Sequence, residues 1–339
     1  MMKKTKFFGM ALSAILACTG IVSCNKDDDI AVKPAKHPDY YISYQTSDSN
    51  IVRLNKEDVF GGAIVKANTY SRENGYGTLE FYSKVTAIED GAFYDTKNLT
   101  HIRIPGSAGK IGYGAFWHCS SLKSITMPDG ITEIGNNAFW YCHSLQSITL
   151  PDSLTTIGKN AFAECTSLRE VTVPLAVSTI GESVFHSCTS LESVTLPKGL
   201  KEIGWSSFAH CSSLKGITIP DGVTTLGTSA FANCASLTSI TVPDKVTCIR
   251  AYAFQGCTSL KDVTLSSNLE KIEMSAFKYC PSLANIYMKA ETPPSFAYYE
   301  GGFTDSTFTT CKLYVPKGCV EAYRQADVWK KFTTIAEMG

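Results

Sequence analysis

Phenylalanine recurs at a constant spacing of 23 residues through the middle of this 339-residue chain. A period in the twenties is typical of a solenoid, in which each repeat forms one coil that buries its apolar residues against the neighbouring coils. The spacing therefore predicts a solenoid of nine coils. The recurring residues are Phe93, Phe116, Phe139, Phe162, Phe185, Phe208, Phe231, Phe254 and Phe277.

The rest of the repeat divides into two segments. Leu-x-x-Ile-x-Leu/Ile-Pro alternates apolar and polar residues and is rich in β-formers, so it predicts a short strand that the proline ends. Stacked coils would place these strands in a parallel sheet, about 4.8 Å apart. Gly-x-x-Ala-Phe-x-x-Cys predicts a short helical turn on the opposite side, with the Phe filling the centre of the coil. Phe116, Phe139, Phe162, Cys142 and Cys165 are accordingly predicted core residues.

The full consensus, Ile-Gly-x-x-Ala-Phe-x-x-Cys-x-Ser-Leu-x-x-Ile-x-Ile-Pro, resembles the BspA-like class of bacterial leucine-rich repeats from about Val85 to Met288. The segment from Leu313 to Trp329 resembles the C-terminal cap of that family. The resemblance implies a leucine-rich-repeat solenoid and a role in adhesion or recognition of a host or matrix protein at the cell surface. Such a match is specific for the fold and only weakly specific for the function.

Five segments follow from these patterns. We predict a signal peptide at 1–23, a polar tether at 24–38, an N-terminal β cap at 39–81, the solenoid at 82–288 and a strand-helix C-terminal cap at 289–339. The N-terminal cap is assigned because Tyr40 to Phe81 does not fit the repeat and contains Asn74-Gly75 beside strand-like residues. Caps shield the open ends of a solenoid.

The first residues indicate export. Three lysines precede an apolar run from Phe7 to Val22, which is typical of a secretory signal and short for a membrane span. Ser23-Cys24 resembles a lipoprotein cleavage site, so Cys24 is the predicted lipidated residue and the membrane is reached through a lipid anchor. The alternative is an ordinary signal with an incidental cysteine.

The acidic run Asp27-Asp28-Asp29 behind Cys24 resembles the sorting signal that sends some Gram-negative lipoproteins to the outer face of the outer membrane. We therefore expect an outer-membrane lipoprotein on the cell surface. The alternative is a solvated spacer without sorting information.

Charge and motifs narrow the functional classes. Thirty-one basic residues balance 31 acidic ones, so no net charge attracts nucleic acid. The sequence has no Gly-rich phosphate loop, no His-Glu-x-x-His and no Ser-centred elbow. We predict neither an enzyme nor a cofactor.

Eight cysteines share the position three residues after Phe, which predicts a ladder of buried thiols. Parallel side chains about 4.8 Å apart suit neither a disulfide nor a tetrahedral metal site. Whether Cys311 and Cys319 form a disulfide is left open. His118 and His143, with Asp95, are a weak metal-site alternative, and no metal is predicted.

Two surfaces remain as recognition candidates. The outward strand position is Thr in seven coils, which favours a supporting role over a docking surface. One and two residues after Phe, the sequence instead stacks Tyr94, Trp117 and Trp140 beside His118 and Tyr141. These five are the ligand-binding candidates, for a protein hot spot or a glycan ring. The alternatives are a ladder that only shields the coil edge and, for the whole chain, a spacer without a ligand.

Overall fold

The computed structural model describes residues 38–54, 58–297 and 302–339. The predicted signal peptide, the lipidation site Cys24 and all but the last residue of the predicted tether lie outside these ranges. No helix among the described residues is both long and apolar enough to cross a membrane.

Most of the regular structure is extended, as the repeat predicts. Helix occurs near the C-terminus, at α1 (Thr307–Thr310) and α2 (Val320–Gln325), with 3-10 turns at Pro38–Tyr40 and Trp329–Lys331. The strands are β1 (Tyr41–Thr46), β2 (Val65–Ser71), β3 (Tyr76–Phe81), β4 (Leu99–Arg103), β5 (Lys110–Ile111), β6 (Ser124–Thr126), β7 (Glu133–Ile134), β8 (Thr156–Ile157), β9 (Glu170–Thr172), β10 (Thr179–Ile180), β11 (Ser193–Thr195), β12 (Glu202–Ile203), β13 (Thr225–Leu226), β14 (Ser239–Thr241), β15 (Cys248–Ile249), β16 (Asp262–Leu265), β17 (Lys271–Ile272), β18 (Asn285–Met288), β19 (Ser295–Phe296), β20 (Lys312–Val315) and β21 (Thr334–Glu337).

The predicted parallel sheet is confirmed, and we call its outward side the strand face. Its strands pair in register from coil to coil, as where Ser239, Ile240 and Thr241 face Asp262, Val263 and Thr264. β14, β16, β18, β20 and β21 form one continuous parallel sheet. At the other end, β1 pairs antiparallel with β4, which pairs parallel with β6. The N-terminal strands and the solenoid therefore share one sheet.

The expectation of a strand in every coil is wrong for the third and sixth coils. Residues 147–149 and 216–218 have no strand assignment, and the strand face is interrupted there. In the sixth coil the strand position is Gly216, and glycine weakens a strand because it has no side chain to pack. The structure shows no corresponding reason at Ser147.

A second, narrower ladder was not predicted. Two-residue strands such as β5, β7 and β8 pair in parallel from one coil to the next, and each buries its second residue. These residues are the aliphatic column five positions before Phe, as at Ile111 and Ile134. Most coils therefore have two ladders that fix their spacing from their neighbours, and the third and sixth coils keep the narrower one.

The prediction of a helical turn at Gly-x-x-Ala-Phe-x-x-Cys is wrong, because the backbone hydrogen bonds of this segment are not those of a helix. Phe116 and His118 donate their N–H groups to Ala138 and Trp140 in the next coil, both at 2.8 Å. The residues between them donate their N–H groups to the backbone oxygen three positions earlier in the same coil. Cys119, for example, donates to Phe116 at 3.1 Å. A helix would use all of these donors internally, so the segment is a series of β-turns that binds the next coil.

Left-handed backbone at two positions of each coil makes this turn possible. The residues two before and two after Phe have positive φ, including Asn137 (58°), Asp95 (56°), His118 (63°) and Tyr141 (62°). Non-glycine residues in this region are uncommon and carry steric strain. The glycine column four before Phe keeps an ordinary φ, which fits its replacement by Glu89, Arg250 and Glu273 in three coils.

Nine stacked Phe rings form the centre of the solenoid. All are fully buried, and adjacent rings are 5.2–5.6 Å apart with interplanar angles of 2–16°. Phe303 adds a tenth ring, 5.4 Å from Phe277, after an irregular spacing of 26 residues. Phe60 covers the first ring edge-on at 5.9 Å, and Trp329 packs against Phe303 at 6.1 Å. Aromatic residues therefore close both ends of the core.

The eight cysteines of the repeat line the core beside these rings. Each is at most 2% exposed and unbridged, and its Sγ donates to the backbone oxygen of the Phe in the preceding coil at 3.0–3.3 Å. Burial raises the pKa of these thiols, to about 12 at Cys234 and Cys280. Cys311 is buried and Cys319 half-buried, and neither is bridged. Cys248, outside this column, is half-buried in β15.

Candidate functional site

The five candidate residues lie on the turn side of the first three coils, which we call the turn face. Left-handed backbone at His118 and Tyr141 follows the inward-facing Phe and carries the next side chains to the surface. The N–H of His118 bonds to the oxygen of Trp140, which holds the two coils together directly beneath the side chains. The rings are thus positioned by backbone that is paired between coils.

The candidate aromatic side chains do stack on one another. Trp117 and Trp140 lie 5.0 Å apart at 15°, and Tyr94 packs edge-on against Trp117 at 5.2 Å. Trp140 also stacks on Tyr141 at 5.1 Å, and His118 meets Tyr141 edge-on at 4.8 Å. The structure therefore brings all five candidates into one cluster. Offset and edge-to-face pairs of this kind stabilise by about 0.5–1.5 kcal/mol beyond area burial.

Two further rings belong to this cluster, and the sequence reasoning missed them. Tyr113 lies 6.4 Å from Trp117 at 89°, and His143 lies 5.4 Å from Tyr141 at 70°. They occupy other columns of the repeat, three before and four after Phe, so a search along two columns passes over them. We call the seven residues the aromatic patch: Tyr94, Tyr113, Trp117, His118, Trp140, Tyr141 and His143.

The two tryptophans are less exposed than the sequence predicts. Tyr94 and Tyr113 are 41% and 47% exposed, whereas Trp117 and Trp140 are half-buried because their faces cover each other. The Nε1 of Trp117 is buried and donates no hydrogen bond to another described group. An unsatisfied buried donor costs about 1–3 kcal/mol. The patch therefore exposes its tyrosines more than its tryptophans, and it contains one buried N–H without a partner among the described groups.

Charged groups border the patch on one side. Asp95 Oδ1 lies 3.6 Å from His118 Nδ1 and 3.2 Å from Lys97 Nζ. Asp95 and His118 are two of the three residues of the weak metal-site alternative. No group of three or more His, Cys, Asp or Glu side chains suited to a metal ion occurs among the described residues. The pair therefore forms a polar rim for the aromatic patch.

Two other histidines contact each other further along the turn face. The rings of His186 and His210 are 5.4 Å apart at 64°. Burial and the neighbouring His210 lower the pKa of His186. Both side chains lie beside Cys188 and Cys211, whose thiols point into the core. The ring of His186 is half-buried and that of His210 is exposed, so neither shares the core with these thiols.

The strand face has a different composition. Its threonines are exposed or half-buried along seven coils, at Thr126, Thr149, Thr172, Thr195, Thr218, Thr241 and Thr264. Arg103 occupies the same position before them, and the stacked pair Tyr287 and Tyr314 follows, with rings 5.0 Å apart at 11°. Uniform threonine supports the sheet through cross-strand contacts.

Comparison with protein families identifies the repeat. A model described as BspA type Leucine rich repeat region, in six copies, matches residues 64–192 and 178–300. The chain belongs to this family. The match begins one residue before β2 and extends beyond β19. No curated protein matches the chain.

Solved structures of bacterial leucine-rich-repeat proteins resemble this BspA-type chain. A T. pallidum leucine-rich-repeat protein is 35% identical, with a TM-score of 0.44, over 46% of this chain and 73% of that one. A Bacteroides ovatus leucine-rich-repeat protein is 24% identical, with a TM-score of 0.48, over 77% and 89%. A leucine-rich cell surface protein of Faecalibacterium prausnitzii is 24% identical, with a TM-score of 0.49, over 81% and 87%.

Proposed function

We propose that this BspA-type protein is a non-catalytic surface lipoprotein that recognises a host or matrix protein through the aromatic patch. The observation that carries the proposal is the convergence of seven aromatic and histidine rings on the turn face of three coils. Binding energy in protein interfaces concentrates in a few residues, among which Trp and Tyr are enriched. A rigid, preassembled cluster also loses little side-chain entropy on binding.

The polar border supports a protein partner. Asp95, Lys97 and His118 lie together at the edge of the rings, and protein hot spots are characteristically an apolar centre within a polar rim. The exposed Tyr94 and Tyr113 add amphipathic side chains to this surface. Such a surface offers both apolar area and directional contacts.

A lipid anchor at Cys24 would place this surface outside the cell. That part of the proposal rests on the basic start, the apolar run and Ser23-Cys24, with the acidic tether as the export signal. The absence of catalysis is proposed because the repeat thiols are buried with raised pKa values, which makes them poor nucleophiles.

A glycan is the second candidate ligand, favoured by the parallel stack of Trp117 and Trp140. Sugar rings bind to the flat faces of aromatic side chains, but in this stack the two indoles cover part of each other's face. The geometry therefore favours a protein that contacts ring edges. A spacer without a ligand is the third possibility, and the uniform threonines of the strand face favour it.

The test compares binding of the chain to panels of immobilised matrix proteins and polysaccharides. The double variant Trp117→Ala/Trp140→Ala removes the centre of the patch. Trp205→Ala is the matched control, because Trp205 is 55% exposed on the sixth coil and outside the patch. Circular dichroism and melting confirm that each variant folds.

Three outcomes are informative. Protein binding that disappears in the double variant and persists in Trp205→Ala supports the proposal. Binding to polysaccharides alone, lost in the same variant, selects the glycan candidate. Equal binding by both variants, or binding to no member of either panel, contradicts recognition by the patch.

A further inference from the structure

A separate pocket lies at the junction of the N-terminal sheet and the first coil. Here the outward residues of the strand face change from Ser and Thr to His101 and Arg103. β1 lies on one side of them, with Ser43 opposite Arg103 and Gln45 opposite His101. β6 lies on the other side, with Thr126 beside Arg103. The N-terminal sheet thus contributes side chains to this part of the surface.

These strands line an open, shallow pocket of about 320 Å³. Its outward lining consists of hydroxyl, amide, imidazole and guanidinium groups. Tyr76 forms part of the wall and is 52% exposed, whereas the lining residues Tyr44 and Ile102 are buried. The complete lining is Ser43, Tyr44, Gln45, Tyr76, His101, Ile102, Arg103, Ser124 and Thr126.

The positive charge of this pocket has no internal counter-ion. Arg103 is exposed and forms no ion pair with another described residue, and no carboxylate lines the cavity. Burial, and then the nearby Lys123, lower the pKa of His101, so its ring is neutral at pH 7. His101 Nδ1 lies 3.1 Å from Thr100 Oγ1, which fixes the ring. Arg103, with Lys123 nearby, therefore supplies the charge.

We propose that this pocket binds the carboxylate of an acidic sugar, a uronic acid unit within a glycan. A guanidinium group pairs with a carboxylate through two parallel hydrogen bonds. Ser43, Gln45, Ser124 and Thr126 offer partners for ring hydroxyls, and Tyr76 offers an aromatic surface for the ring.

The lining favours a sugar over an acidic peptide. A peptide side chain beyond its carboxylate presents methylene groups, but the only aliphatic residue of the pocket, Ile102, is 3% exposed. A sugar ring instead presents a hydroxyl on nearly every carbon. Hydroxyl and amide groups line both sides of Arg103, which matches that pattern. This site is distinct from the aromatic patch and does not depend on it.

Isothermal titration of the chain with a galacturonic acid trisaccharide tests this site. The methyl ester of the same trisaccharide removes the negative charge and keeps the shape. Arg103→Gln removes the positive charge at an exposed position, so the fold should be retained. Arg324→Gln, exposed on α2, is the matched control. A hexaglutamate peptide represents the alternative ligand.

We expect the acid trisaccharide to bind at least about tenfold more tightly than its ester. Arg103→Gln should lose this advantage, and Arg324→Gln should keep it. Equal binding of acid and ester, unchanged binding by Arg103→Gln, or no binding at millimolar concentration overturns the proposal. Tighter binding of hexaglutamate overturns the sugar assignment. Because Trp117→Ala/Trp140→Ala leaves this pocket intact, that variant separates failure here from failure of the aromatic patch.

Discussion

The thiol of Cys142 donates to the backbone oxygen of Phe116, 3.2 Å away in the preceding coil. This contact joins the two columns that define the repeat, and it recurs wherever the column contains cysteine. A small apolar side chain would pack there equally well, but the thiol adds a weak donor for an oxygen in the core. The cysteine column is therefore packing that also ties neighbouring coils together, without disulfides.

The thiol ladder makes stability sensitive to alkali. Folding raises the thiol pKa values, so the unfolded chain loses these protons first, near pH 8.5, while the folded chain keeps them. Stability is fully present below pH 8.5 and falls as the pH rises toward the folded pKa of about 12. One pH unit above 8.5, each thiol should cost about 1.4 kcal/mol.

Thermal melts between pH 7 and 9.5, with reductant present, measure this effect. The melting temperature should fall steeply above pH 8.5, and Cys234→Ala should show a shallower fall than the parent chain. A melting temperature that stays constant across this range would contradict the buried-thiol account.

Truncation of a central ring should be costly. Phe185 is fully buried between Phe162 and Phe208, at 5.6 and 5.4 Å, and rigid neighbouring coils limit collapse of the cavity. Phe185→Ala should lower the free energy of unfolding by about 3–5 kcal/mol in urea titrations. Phe185→Leu, the control, should cost less because it keeps most of the volume. Equal losses in the two variants would show that ring stacking, not volume, dominates.

The left-handed positions of the turn should reject β-branched residues. Ser187 has φ of 57°, where a second branch at Cβ is strongly disfavoured. Ser187→Val should destabilise by about 1–2 kcal/mol. Thr172→Val, in the extended strand β9, should change stability by less than about 0.5 kcal/mol. A harmless Ser187→Val would mean that the turn does not need this backbone conformation.

The last segment should be required for folding. Trp329 is fully buried, and its Nε1 donates to the oxygen of Pro294 at 2.7 Å. Deleting residues 311–339 removes this ring and Phe332 from the open side of Phe303, which exposes apolar surface. We expect aggregation or a lowered melting temperature, with a chain lacking only Gly339 as control. An unchanged melting temperature would refute the capping role.

The repeat period was enough to predict the solenoid, because stacking follows directly from one Phe in every 23 residues. The turn conformation was not predicted. Its left-handed positions hold residues as different as Asp95, His118 and Tyr141, although Gly91 and Gly114 two positions before Phe were an available signal. Phe303 was missed because its spacing is irregular.

The candidate sites, too, could be predicted only in part from the sequence. Five members of the aromatic patch occupy columns that the period aligns, so their contact could be predicted, but their role in binding stays a prediction. Tyr113 and His143 lie outside those columns and meet the others only in three dimensions. The pocket at Arg103 depends on β1, whose Ser43 lies 60 residues earlier in the chain. No local pattern brings such residues together.

Tryptophan fluorescence tests occupancy of the aromatic patch most directly. In a Trp205→Phe variant, the remaining indoles are Trp117 and Trp140 in the patch and Trp329 in the core. Titration with a matrix protein that binds the parent chain should shift the emission to shorter wavelength as the two half-buried indoles lose water. The shift should disappear when Trp117 and Trp140 are also replaced by Phe. Binding of that protein to the Trp205→Phe variant with no change in emission would contradict recognition through the patch.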